Sequence, residues 1–143
     1  MRSWRGVSGA AVLVVALAAC SDDEWVVEPG QLEFYDMPAR IQAPTTAQVS
    51  EPVIVRLETY GGGCIEFASM EVTISATAAD MRPLDRRLIP GDDGGCILIL
   101  TMIAHEATLT FDTPGVKTVT VHGRRVNGRG DEPVAFPLTI TVE

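Results

Sequence analysis

The sequence predicts an all-β domain, a sandwich of two antiparallel sheets with about seven or eight strands. Three observations predict it. Apolar and polar residues alternate with a period of two in stretches beginning at Val53, Met70, Ala107, Thr118 and Val134. Glycine, proline and aspartate clusters separate these stretches, notably Gly61–Gly63, Gly91–Gly95 and Thr113–Gly115. No segment sustains the 3.6-residue period of an amphipathic helix.

Taken in order, Leu32–Tyr35 and Ala39–Ala43 read as short first strands, parted by Met37-Pro38. Pro44 and Pro52 bracket a polar loop. Val53, Val55 and Leu57 then alternate with Ile54, Arg56 and Glu58, a half-buried strand that the glycines end. Met70, Val72, Ile74 and Ala76 share one face of the next strand. Asp80–Pro90 reads as irregular, with a short edge strand around Leu84–Leu88. Ile97–Ile103 is apolar throughout except for Thr101, as in a strand covered on both faces or exposed as a contact surface. On the second reading Leu98, Leu100 and Met102 mark a surface for a partner or for self-association. Ala107, Leu109 and Phe111 continue the alternation, and Val119 and Val121 follow the turn. Gly123–Asp131 reads as a charged hairpin loop. The last strand places Val134, Phe136, Leu138, Ile140 and Val142 on one face. Pro137 cannot donate to a ladder, so that strand belongs at an edge or carries a bulge.

The first 19 residues have a different character. A basic start (Met1, Arg2, Arg5) precedes an apolar run and the small residues Leu17-Ala18-Ala19-Cys20. That order is a secretory signal peptide. The run is shorter than the roughly 20 apolar residues of a spanning helix, and the acidic Asp22-Asp23-Glu24 follows at once. Leu17–Cys20 resembles the lipobox of bacterial lipoproteins. The resemblance implies that Cys20 is lipidated and becomes the first mature residue. Ser21 in the next position implies the outer membrane. The chain therefore divides into a signal peptide at 1–19, a lipidated cysteine with an acidic tether at 20–30, and a folded domain at 31–143.

Without residues 1–19 the chain loses Arg2 and Arg5. Nine of its 11 basic side chains then face all 19 acidic ones, a net charge near −10. Such a protein repels nucleic acid and anionic lipid surfaces, which excludes both as partners. The membrane is reached through the anchor on Cys20.

A second resemblance lies late in the chain. Phe111-Asp112-Thr113-Pro114-Gly115-Val116-Lys117-Thr118-Val119-Thr120-Val121 is similar to the turn before a late strand in bacterial immunoglobulin-like and PKD-like domains. It departs from that motif at Lys117, where tyrosine would stand. The only tryptophans are Trp4 and Trp25, so the core tryptophan of antibody domains is missing. The resemblance implies an immunoglobulin-like sandwich and a spacer, adhesin or binding module.

Cys64 and Cys96 remain once Cys20 is consumed, and in an exported protein two cysteines usually pair. Glycines precede each, which lets two turns approach at one end of the sandwich. Metal binding is the rival, with His105 and His122 as further ligands. It lacks the closely spaced cysteine pair of zinc sites. No cofactor is implied. No serine stands in a nucleophile-elbow context, and His105 and His122 read as surface or turn residues rather than bases. Asp92-Asp93 lacks the alternating carboxylates of a calcium loop. Arg82, Arg86 and Arg87, and again Arg124, Arg125 and Arg129, read as surface ion pairs rather than an anion site. The expected function is a non-enzymatic, lipid-anchored envelope module that binds or spaces other envelope or surface proteins. The alternative is a small-ligand or metal-binding envelope protein using loops near Cys64, Cys96 and His105. Cys20→Ala should abolish the lipid mass on the mature chain and release it from the membrane fraction. Unchanged partition with an unchanged intact mass would refute the anchor.

Overall fold

The computed structural model describes residues 23–92 and 94–143. Residues 1–22, on which the expected signal peptide and the lipidated Cys20 fall, and Asp93 lie outside the described residues. Among those described there are ten strands and no helix. They are β1 (Glu24–Pro29), β2 (Gln31–Phe34), β3 (Arg40–Gln42), β4 (Thr46–Ala47) and β5 (Pro52–Gly61). After these come β6 (Ile65–Ile74), β7 (Ala78–Ile89), β8 (Thr101–Thr110), β9 (Gly115–Asn127) and β10 (Gly130–Val142). The all-β expectation holds, but ten strands replace seven or eight. The sheet is mixed rather than antiparallel, because β2 and β7 run parallel to β9, and β4 runs parallel to β10.

The sheet curls so that two parts of it pack face to face. β5 pairs along its length with β8, and β9 with β10. Alternate residues of each strand point inward. Val53, Val55 and Leu57 of β5 and Leu109 of β8 form one core with Met81 of β7, Val119 and Val121 of β9, and Ile140 of β10. β2 joins the two parts, since Gln31 lies beside both Tyr60 of β5 and Arg124 of β9.

Three sequence readings are corrected here. Glu24–Pro29 is a strand paired with Leu84–Ile89, so the tether expected at 20–30 is folded from Glu24 onward. Trp25, Val26 and Val27 carried the signal, as β-branched and aromatic residues favour strands. Of the stretch Asp80–Pro90, expected to be irregular, only Pro90 falls outside a strand, and Asp80–Ile89 lies within β7. Its charged residues hide a period of two in which Ala79, Met81, Pro83 and Asp85 are buried while Asp80, Arg82 and Arg86 are exposed. Pro83 sits where β7 exchanges β9 for β1 along one edge. Its carbonyl accepts from the Gly30 amide at 2.9 Å, so the missing proline N–H faces the gap between those partners. Finally, the expected loop at Gly123–Asp131 is mostly strand, and only Gly128 and Arg129 lie between β9 and β10.

Other readings agree with the structure. Pro137 is at an edge, because the far side of β10 meets β4 only at Thr141 and Val142. Lys117, which stands where the related motif has tyrosine, is buried. Its ammonium donates to the Ala76 carbonyl at 2.6 Å and to Thr113 Oγ1 at 2.8 Å, tying together two turns.

Candidate functional site

One end of the sheet gathers most of the chemistry. The C-terminal ends of β5 and β7 meet the N-terminal ends of β1, β6 and β8 there. Cys64 and Cys96 are joined in a disulfide with a Cα separation of 5.4 Å. The bond links the turn after β5 to the segment before β8, so it staples loops at one end and does not cross the core. Gly63 makes the approach feasible. A Cβ there would lie 2.7 Å from the Ile97 carbonyl oxygen, and the Gly63 amide instead donates to that oxygen at 3.3 Å. Both sulfurs are used, so neither is available as a thiolate ligand while the bond is intact.

The apolar run divides at Leu100. Thr101 begins β8, and Ile97–Leu100 lies outside any strand. Leu98 is fully exposed and Leu100 is exposed by 48%. Met102 is partly buried. Ile97 and Ile99 are also exposed, by 74% and 52%. Beneath the loop lies an open groove of about 490 Å³, lined by Phe34, Arg87, Ile89, Pro90 and the disulfide. Arg87 pairs with Glu28 at 3.4 Å.

Strands β5, β7 and β8 also share a buried polar cluster that the sequence reading missed. Thr59 Oγ1 donates to Asp85 Oδ2 at 2.7 Å, and His105 Nε2 lies 2.8 Å from Asp85 Oδ1. All three side chains are buried. His105 was expected at the surface or in a turn, and that is corrected. The signal was present, because His105 falls in phase with Ile103, Ala107 and Leu109 on the inward face of β8. Thr59 Oγ1 and Asp85 both approach the same ring nitrogen, and His105 Nδ1 has no partner among the described residues. A nucleophilic triad would put its acid and its nucleophile on opposite nitrogens. The cluster is instead a polar bridge between β5, β7 and β8. Gly30 closes it, since a Cβ there would lie 2.4 Å from Thr59 Cγ2.

The remaining candidates separate. His122 is half-buried and lies 2.7 Å from Asp80. Asp92 is exposed. Among the described residues no three His, Cys, Asp or Glu side chains converge as a metal-binding group. Five of the six arginines expected in surface ion pairs form them, and Arg129 has none among the described residues. Arg82 meets Glu71, Arg86 meets Glu66, and Arg124 bridges Glu28 and Asp131. Hydrogen bonds to Glu33, then to Glu132, raise the already high pKa of Arg125, which keeps it cationic.

Two outcomes test this construction. Replacing both Cys64 and Cys96 by serine frees a loop with a sequence separation of 32. The chain-entropy relation gives a loss of about 3–4 kcal/mol. Urea unfolding should show it as a lower midpoint with the circular-dichroism spectrum kept, and an unchanged midpoint would contradict it. Asp85→Ala should cost roughly 1–3 kcal/mol by leaving the buried Thr59 hydroxyl and His105 Nε2 without their partner. In a double-mutant cycle with His105→Ala the two losses should fall short of additivity by about 0.5–3 kcal/mol, and strict additivity would show that the pair is not coupled.

No family model, curated protein or solved structure matches this chain, so the functional reading rests on its own residues and geometry.

Proposed function

We propose that this chain is an exported, lipid-anchored envelope module of immunoglobulin-like type. It binds or spaces other envelope components without catalysing a reaction. The lipobox-like Leu17–Cys20 supports export and anchoring, and the Phe111–Val121 motif supports the immunoglobulin-like assignment. The observation that carries the binding role is the exposed run Ile97–Leu100, held by the disulfide. Four consecutive exposed apolar residues mark an interaction surface. The geometry also favours a second reading, in which the groove of about 490 Å³ holds a small apolar ligand.

A photoreactive residue at Leu98, irradiated in intact envelopes, tests the first reading. Adducts with envelope components should form at Leu98, with few at Val116, which is exposed at the opposite end. Equal labelling at both positions would refute the binding role. A small molecule copurifying in native mass spectra would favour the second reading.

A further inference from the structure

We propose that the partner of the Ile97–Leu100 loop is the bilayer itself, with the loop inserted among zwitterionic lipids beside the Cys20 anchor. This rests on the lipid-anchored reading and names the partner which that reading leaves open.

The first argument is where the chain enters the fold. Asp23 Oδ1 accepts from the Gly91 amide at 3.1 Å. Gly91 follows Pro90, which lines the same groove as Ile97 and Leu98. Cys20 is three residues before Asp23, a reach of at most about 10 Å of extended chain. An acyl group on Cys20 thus brings the bilayer surface to the base of the loop, whatever the orientation of the anchor. A protein partner would have to take the space between the domain and its own membrane.

The second argument is composition. Ile97, Leu98, Ile99 and Leu100 carry no charge or hydrogen-bonding side chain. All four are about half exposed or more, with Leu98 at 102%. Apolar side chains on a loop gain by entering the acyl boundary of a leaflet. Trp25 lies on β1, the strand that starts at this end. It is 44% exposed, with the Arg86 guanidinium 4.7 Å from its ring centre. A tryptophan beside a cation suits headgroup depth. Asp23, Glu24 and Asp92 flank the loop, so anionic headgroups would repel it. That selects zwitterionic lipid.

The third argument is preorganisation. The disulfide and the hydrogen bond from the Gly63 amide to the Ile97 carbonyl hold the loop's base before any membrane is met. Less conformational freedom is then lost on insertion.

Tryptophan quenching tests the inference. The full chain, purified from membranes in detergent, is reconstituted into phosphatidylcholine vesicles with brominated acyl chains. Trp25→Phe removes the fluorophore on β1, and Leu98→Trp or Val116→Trp then supplies a reporter at either end. Leu98 is fully exposed, so its replacement disturbs no packing. Bromine should quench Leu98→Trp at least twofold more than Val116→Trp. Equal quenching, or Leu98 adducts exclusively with protein in the envelope, would overturn the proposal. Intact mass separates the two readings. A lipid on Cys20 without quenching leaves the anchor and removes the inserted loop. Quenching without that lipid leaves the loop and removes the anchor.

Discussion

The Asp85 carboxylate is the constraint around which this fold is assembled. It is buried in a protein whose surface is rich in acidic groups, and burying an unpaired carboxylate costs several kcal/mol. Thr59 from β5 and His105 from β8 supply its partners, so three strands must meet at one point. Gly30 must lack a side chain for them to do so. The chain therefore passes from β1 into β2 directly over the cluster. β1 then closes the outer edge of β7, and β2 joins β9 to β5. The aliphatic core alone would allow other strand registers. A buried polar group with two partners restricts them more severely, because a one-residue slip would turn the side chains of a strand to the opposite face.

The same assembly decides what the stapled end presents. β1, β6 and β8 begin there, and β5 and β7 end there. Chain entry, disulfide and apolar loop are thereby gathered within a short distance, although Asp23 and Leu98 are far apart in sequence. The opposite end carries Lys117 and its two turns, with no comparable apolar run. On the proposed anchored reading, this asymmetry separates a membrane-side end from a distal end. The ion pairs between arginines and acidic residues along the sheet leave the negative surface little concentrated positive charge.

Alternation was readable where the inward positions of a strand are apolar. β5, β8 and the second half of β10 follow their expected phase, and Cys64 and Cys96 form the expected disulfide. The readings that failed share a cause. In β7 and at His105, polar residues occupy inward positions, so hydropathy alone concealed strand and burial alike. β1 was hidden by an acidic neighbourhood. Its strand character depends on the open edge of β7, which no local window displays.

The sequence by itself determined the all-β class, narrowed Pro137 to an edge or a bulge, and located the apolar run Ile97–Ile103. Each follows from local chemistry: side-chain period, a missing amide hydrogen, or a run of apolar residues. Only the tertiary structure decided the mixed strand order, the Thr59–Asp85–His105 cluster and the exposure of Ile97–Leu100 beside the entering chain. These depend on which distant segments become neighbours. That choice is made by satisfying buried polar groups and open strand edges together, and no single segment of the sequence carries both halves of such a contact.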